Sequence, residues 1–193
     1  MRKSKNDPVK VLALDIETTH LHADFGVILC AYAQNPFFGR GTLLSQRLLS
    51  PVWDRSAADD SAVVRALIER IAQADVLLAH NGADFDLPYI RSRAKRWGMP
   101  LPPDRPILDP CVIARKRLRL SHNTLASLLS FFDIIERKTP LDPTVWAKAA
   151  LARDTRAMIK IERHCKADVD ALVALAARLS GLWGRRIMDD ILI

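Results

Sequence analysis

Val9-Lys10-Val11-Leu12-Ala13-Leu14-Asp15-Ile16-Glu17-Thr18-Thr19 is the stretch on which the fold turns. From Val11 onward it is almost unbroken apolar sequence rich in Val, Leu and Ile, the pattern of a strand buried on both faces. Two carboxylates, Asp15 and Glu17, are set into its end. Side chains two positions apart on a strand share a face, with Cα atoms roughly 6.6 Å apart. Two anions side by side at a buried strand end repel each other and lose hydration, and a bound divalent cation is the simplest compensation for both losses. A pair of exposed acids where a strand gives way to a loop fits the same residues, and the stretch alone leaves the two readings even.

Working outward, residues 18–23 read as a turn in which His20 and His22 are surface residues. Apolar runs at 26–33 and, more weakly, 37–44 predict two further strands, giving an antiparallel meander, and 50–60 reads as a loop. Val64, Leu67, Ile68 and Ile71 recur at helical spacing and predict a helix over 61–73. Residues 75–79 form a short buried strand ending in His80-Asn81-Gly82, and helical periodicity returns over 85–97. After a Pro-rich connection, Ile107-Leu108-Asp109 is a last short strand. Helices follow near 111–119, 123–132 and 144–152. A long one then runs from Asp154, its N-cap, to about Leu179, with Gly181 as its stop. The sum is an α/β protein with a mixed five-stranded sheet flanked by helices and a helical C-terminal half.

The 193 residues suit one domain over 1–193, with 1–8 flexible, and 49% hydrophobic with 26% charged residues is globular rather than disordered chemistry. A formal charge of +7 and a pI of about 9.7 suit a polyanionic partner. Cys30, Cys111 and Cys165 are scattered, with no paired spacing, which excludes a disulfide framework or a zinc site and fits a reducing cytosol. The basic N-terminus lacks the apolar core of a signal peptide, and no run reaches the length of a membrane span. A soluble cytoplasmic protein without a membrane partner is expected.

Two later stretches carry acids. In His80-Asn81-Gly82-Ala83-Asp84-Phe85-Asp86-Leu87-Pro88-Tyr89-Ile90 a strand delivers the chain to a turn and a helix opens. Asp84 or Asp86 could merely favour that helix's N-terminus, yet such strand ends are where α/β folds put their sites. In His164-Cys165-Lys166-Ala167-Asp168-Val169-Asp170 the long helix has a buried stripe through Met158, Ile161, Cys165, Leu172, Ala176 and Leu179. At about 100° per residue, Asp168 lies roughly 60° and His164 roughly 100° from its centre, whereas Asp170 falls about 140° away. Asp168 is therefore the acid able to face the sheet, with His164 beside it at four-residue spacing.

Together these stretches resemble the DEDD (DnaQ-like) 3′–5′ exonuclease superfamily, on a ribonuclease-H-like fold. LDIETT (14–19) is similar to its first motif, HNGADFDLPYI (80–90) to its second and HCKADVDAL (164–172) to its third. LDPCVIARKRLRLSHNTLASLL (108–129), Lys138, Trp146 and 153–163 resemble a branch near the exonuclease domains of family B DNA polymerases. The resemblance implies that Asp15, Glu17, Asp86 and Asp168 bind two Mg2+ or Mn2+ ions, with Asp15 bridging both, and that His164 is general base or water-orienting group. It also implies that Thr18, Thr19, Leu21, Asn81 and Phe85 contact the substrate. One subgroup has a tyrosine four residues before the last aspartate and the other a histidine five before it. His164 stands four before Asp168, so both subgroups stay open, and His20 replaces a glycine common in relatives.

The function so implied is metal-dependent hydrolysis at the 3′ end of single-stranded DNA, with RNA a possible substrate. Hard cations that prefer carboxylate oxygen suit four acids and no cysteine. Basic residues over 91–96, 115–119 and 153–163 could follow a phosphate backbone, although solvated helix faces are the commoner meaning of such runs. An RNA-directed or structure-selective nuclease on the same fold, or a non-catalytic nucleic-acid-binding module, are the competing readings.

Overall fold

Alternation along the first strand sets the layering. The computed structural model describes residues 8–135 and 141–183, so Lys138 and all but Pro8 of the segment expected to be flexible lie outside the described residues. Along β1 (Val11–Thr18), Val11 and Ala13 enter one apolar layer, while Leu14 and Ile16 enter another on the opposite face. By the same two-residue period, Asp15 and Glu17 belong to the face of Val11 and Ala13.

The sheet has five strands: β1, β2 (Ile28–Gln34), β3 (Gly41–Ser45), β4 (Val76–Leu78) and β5 (Ile107–Leu108), in the order β3-β2-β1-β4-β5. The meander β1–β2–β3 is antiparallel, whereas β4 and β5 add in parallel on the other side of β1. This is the expected mixed α/β sheet. Helices α1 (Gln46–Leu49), α2 (Ser61–Gln73) and α3 (Asp86–Arg96) precede or alternate with the late strands. After β5 come α4 (Pro110–Arg117), α5 (Leu125–Phe131), α6 (Thr144–Ala152) and α7 (Thr155–Arg178). Apolar residues of α2 and α3 pack on the Leu14 face, and those of α4 to α7 on the Val11 face. Asp154 caps α7 as its sequence implies, accepting from the Ala157 amide at 2.9 Å.

Several local expectations are corrected. The third strand begins at Gly41, not at Phe37. Asn35 Oδ1 accepts from the Phe37 amide and Gly39 adopts φ +63°, so the chain turns over 35–40 and leaves Phe37 and Phe38 exposed. Gly41 then lies flat against the Tyr32 ring, where a Cβ would stand 2.3 Å from a ring carbon. The short helix α1 adds to the expected elements: the Ser45 hydroxyl caps it by accepting from the Arg47 amide while donating to Glu162, 117 residues away. Gly181 does not stop α7: the helix ends at Arg178, and Gly181 sits within the 3-10 turn Ser180–Leu182. The buried face of α7 also includes Glu162, Val169 and Leu175.

Two buried charged groups tie the layers together. Asp60 precedes α2 yet does not cap it with its side chain. Its carboxylate accepts instead from the Ile28 amide (2.8 Å), Arg93 Nε (2.8 Å), Arg93 Nη2 (2.9 Å) and Trp97 Nε1 (2.6 Å). On the other face Glu162 accepts from Ser45 Oγ and from Arg47 Nε and Nη2, joining α7 to the end of β3. The three cysteines are buried and free. Burial raises the thiol pKa of each, and Cys30 on β2 and Cys165 on α7 lie within hydrogen-bonding reach of one another.

Candidate active site

β1 outruns its parallel partner. Its register with β4 covers Val11, Leu12 and Ala13 only, while β2 accompanies it to Thr18, with an irregularity between Glu17 and Thr18. Beyond Ala13, the side of β1 away from β2 is therefore met by the chain leaving β4. Asn81 makes the turn there, at φ +59°, its amide donating to Asp109 Oδ1 at 2.9 Å and its carbonyl accepting from the Phe85 amide at 3.0 Å. The turn launches α3 with Asp86 as its first residue, buried, whereas Asp84 is exposed. The Ile16 and Asp86 amides favour the charged form of Asp86, but loss of hydration outweighs them and, with Asp109 nearby, brings its pKa to about 7.

From the opposite side α7 presents His164 and Asp168. His164 Nε2 lies 3.9 Å from both Glu17 Oε1 and Asp168 Oδ2. Cys165, between them in sequence, donates to the Asp15 carbonyl at 3.4 Å and pins the helix to β1. Asp15 keeps slight solvent contact, yet its carboxyl is driven well above the usual carboxylate range. Desolvation is the main cause, followed by the negative charges of Asp86, Glu17 and Asp168. All four acids named from the sequence thus share one electrostatic neighbourhood at the carboxyl end of the sheet, supplied by β1, α3 and α7. Asp170 is turned away and pairs with Lys166 at 2.5 Å.

Among the described residues, no three acid, histidine or cysteine side chains stand in finished coordination geometry. The acids form a charge cluster rather than a closed ligand shell. Its chemistry nonetheless fits a hard divalent cation: the donors are oxygens, and Asp86 Oδ1 is buried with no hydrogen-bond partner. The raised carboxyls of Asp15 and Asp86 reflect lost hydration first and neighbouring negative charge second.

A cavity of about 660 Å³ opens beside the cluster, walled by Glu17, Thr19, His20, Leu21, Phe85 and Trp146. A second, of about 470 Å³, shares Thr19, His20 and Trp146 with it. A larger cavity of about 830 Å³ opens around Pro8, Val11 and Phe38, and no acid lines it. The expected substrate residues are placed unequally. Thr18, Thr19, Leu21 and Phe85 all line the groove, Leu21 with 75% of its surface exposed. Thr19 Oγ1 accepts from the Val27 amide and closes the β1–β2 loop, and Thr18 Oγ1 donates to the His20 carbonyl. Asn81 contributes a backbone turn. His20 and His22 are exposed as expected, with the His20 backbone packed so closely on Gly26 that a Cβ there would meet it at 2.9 Å.

Two residues received no role from the sequence. Trp146 Nε1 donates to Glu17 Oε2 at 3.1 Å, and its ring meets His164 edge to face. Asp109 accepts from the Asn81, Cys111 and Val112 amides, capping α4 while fixing the turn before Asp86. Asp followed by Pro, with helical sequence beyond, is a cap signature that could have marked Asp109. Within the basic run 91–96, Arg93 is buried against Asp60 and Arg91 pairs with Asp104, while Lys95 and Arg96 are exposed. Arg115, Lys116, Arg117 and Arg119 are exposed. No helix among the described residues is long and apolar enough to cross a membrane.

A family model described as the RNase_H superfamily matches residues 12–180. DNA polymerase 1 of Pyrococcus abyssi is 27% identical over 111 residues, 54% of this chain and 14% of the polymerase. Three prime repair exonuclease 2 of Homo sapiens is 37% identical over 105 residues, 51% of this chain and 44% of that protein. The chain thus spans less than half the length of these curated relatives. Among solved structures, the family B DNA polymerase of Pyrobaculum calidifontis superposes with a TM-score of 0.72 at 21% identity, over 90% of this chain and 25% of the polymerase. Brucella melitensis NrnC superposes with a TM-score of 0.59 at 17% identity, over 93% of this chain and 76% of its own.

Proposed function

The chain belongs to the RNase H superfamily, and from that premise we propose that it is a metal-dependent 3′–5′ exonuclease that hydrolyses phosphodiester bonds at the 3′ end of single-stranded DNA. The observation that carries this reading is the convergence of Asp15, Glu17, Asp86 and Asp168, from three elements, on one neighbourhood where their charges oppose one another. The name of the human relative supports action at a 3′ end, and those of the polymerases support DNA.

Asp15, Glu17, Asp86 and Asp168 would hold Mg2+ or Mn2+, and a bound pair of such ions supplies an activated water and a counter-charge for the leaving oxygen. The chain's own groups do the rest. His164 Nε2, facing Glu17 and Asp168, takes the proton of the attacking water, a task suited to imidazole because it exchanges protons near neutral pH. Leu21 and Phe85 flank the terminal nucleotide in the groove. Its apolar and aromatic lining accepts unpaired bases by stacking, which favours a single strand of any sequence.

The test is digestion of 5′-labelled and 3′-labelled single strands, DNA and RNA, with Mg2+, Mn2+ or EDTA. The 5′-labelled DNA is expected to shorten one nucleotide at a time, and only with metal. Asp15→Ala is expected to lose more than the roughly 100-fold that disturbing a ligand's supporting partners costs. Undiminished turnover in Asp15→Ala, or none in the wild type with either metal, refutes the proposal, and preferred turnover of RNA reassigns the substrate.

A further inference from the structure

We infer that Trp146 is a positioning residue of the acidic site, setting the orientation of Glu17 for cation binding; the inference rests on the metal-dependent reading above. Glutamate has one more side-chain torsion than aspartate, so Glu17 has the most freedom to lose among the four acids. The indole of α6 removes it. Trp146 Nε1 donates to Glu17 Oε2 at 3.1 Å, leaving Oε1 turned toward His164 Nε2 at 3.9 Å. The indole N–H is a donor only, so it stabilises the carboxylate without competing as a ligand.

The same ring meets His164 at 6.1 Å between centroids and 88° between planes, so one side chain orients both the acid and the proposed base. Trp183 places its N–H on the Ala176 carbonyl at 3.2 Å and Trp97 on the Asp60 carboxylate at 2.6 Å, both away from the groove. Trp146 is instead partly exposed, walls both cavities of the groove and turns its N–H to an acid of the cluster. Packing of α6 on α7, centred on the buried Ala149, keeps it there.

The experiment titrates Mn2+ into wild type, Trp146→Phe, Glu17→Gln and the Trp146→Phe/Glu17→Gln double variant, reading free Mn2+ by electron paramagnetic resonance. Melting temperatures are followed in parallel. Phenylalanine keeps the apolar plate and removes only the donor. Trp146→Phe is expected to weaken Mn2+ binding about 10-fold, the scale on which partners of metal ligands act. In the Glu17→Gln background the same substitution is expected to cost less than about 2-fold, because the group through which Trp146 works has been altered. Unchanged Mn2+ affinity in Trp146→Phe, or an equal loss in both backgrounds, overturns the inference and leaves the exonuclease reading intact. A wild type that binds no Mn2+ overturns the metal-dependent reading and this inference with it.

Discussion

Asp86 carries a carboxyl raised from 3.8 to about 7, chiefly because burial strips its hydration. The folded protein therefore retains a proton there across a range in which the unfolded chain has already released it. Stability from this source is full below about pH 4 and is lost as pH rises through about 7. Asp15, raised in the same sense, adds to the effect. Asp154, held low mainly by the Ala157 amide, and Asp142, held low mainly by the Thr144 hydroxyl, work in the opposite sense, but only toward the acid end. In EDTA the melting temperature is expected to fall by about 5–10 °C between pH 4.5 and 8. Asp86→Asn is expected to flatten that slope and to melt above the wild type at pH 8. A differential scan across the range measures both, and a flat wild-type profile would contradict the assignment.

At the scale of elements, α2, α3 and the start of β2 share one charged junction. Arg93→Met would leave the Asp60 carboxylate buried with only the Ile28 amide and Trp97 Nε1 as donors. A loss of about 3–5 kcal/mol is expected from urea unfolding. Replacing Asp60 as well is not expected to restore stability, because the Ile28 amide and the Trp97 indole would then lose their acceptor. The junction also marks where sequence reading ends. Helices over 61–73 and 144–152 were legible in the sequence, the first because Val64, Leu67, Ile68 and Ile71 recur at helical spacing. Asp168 was separable from Asp170 by helical angle alone. Arg93, by contrast, sits among Arg91, Lys95 and Arg96 in a run that reads as solvated, and its burial depends on an acid 33 residues away. Glu162 was hidden likewise, since its partners Ser45 and Arg47 lie more than 100 residues off. Trp146 met the same limit, for its bond to Glu17 spans 129 residues. Periodicity reports which face is apolar, not which charges meet across layers.

For the whole molecule, the net charge of +7 is less available than it looks. Arg47, Arg91 and Arg93 are each engaged with an acid, so the exposed Arg115, Lys116, Arg117 and Arg119 in and just after α4 make up a larger share of what a phosphate backbone would meet. The four acids owe their proximity to a layered arrangement in which α7 spans the Val11 face of the sheet, so the site exists only while that layer stays closed. Cys30 on β2 and Cys165 on α7 face each other inside this layer, both fully shielded, and Cys165 is bonded to the backbone of Asp15. Their sulfurs are built-in reporters: a thiol reagent gains entry only when α7 lifts from the strand that carries the acids. Modification of Cys30 and Cys165 is thus expected to proceed at the opening rate of the site's own scaffold, slower than that of Cys111 and slowed further by saturating Mn2+, as timed mass spectrometry of the labelled peptides would record.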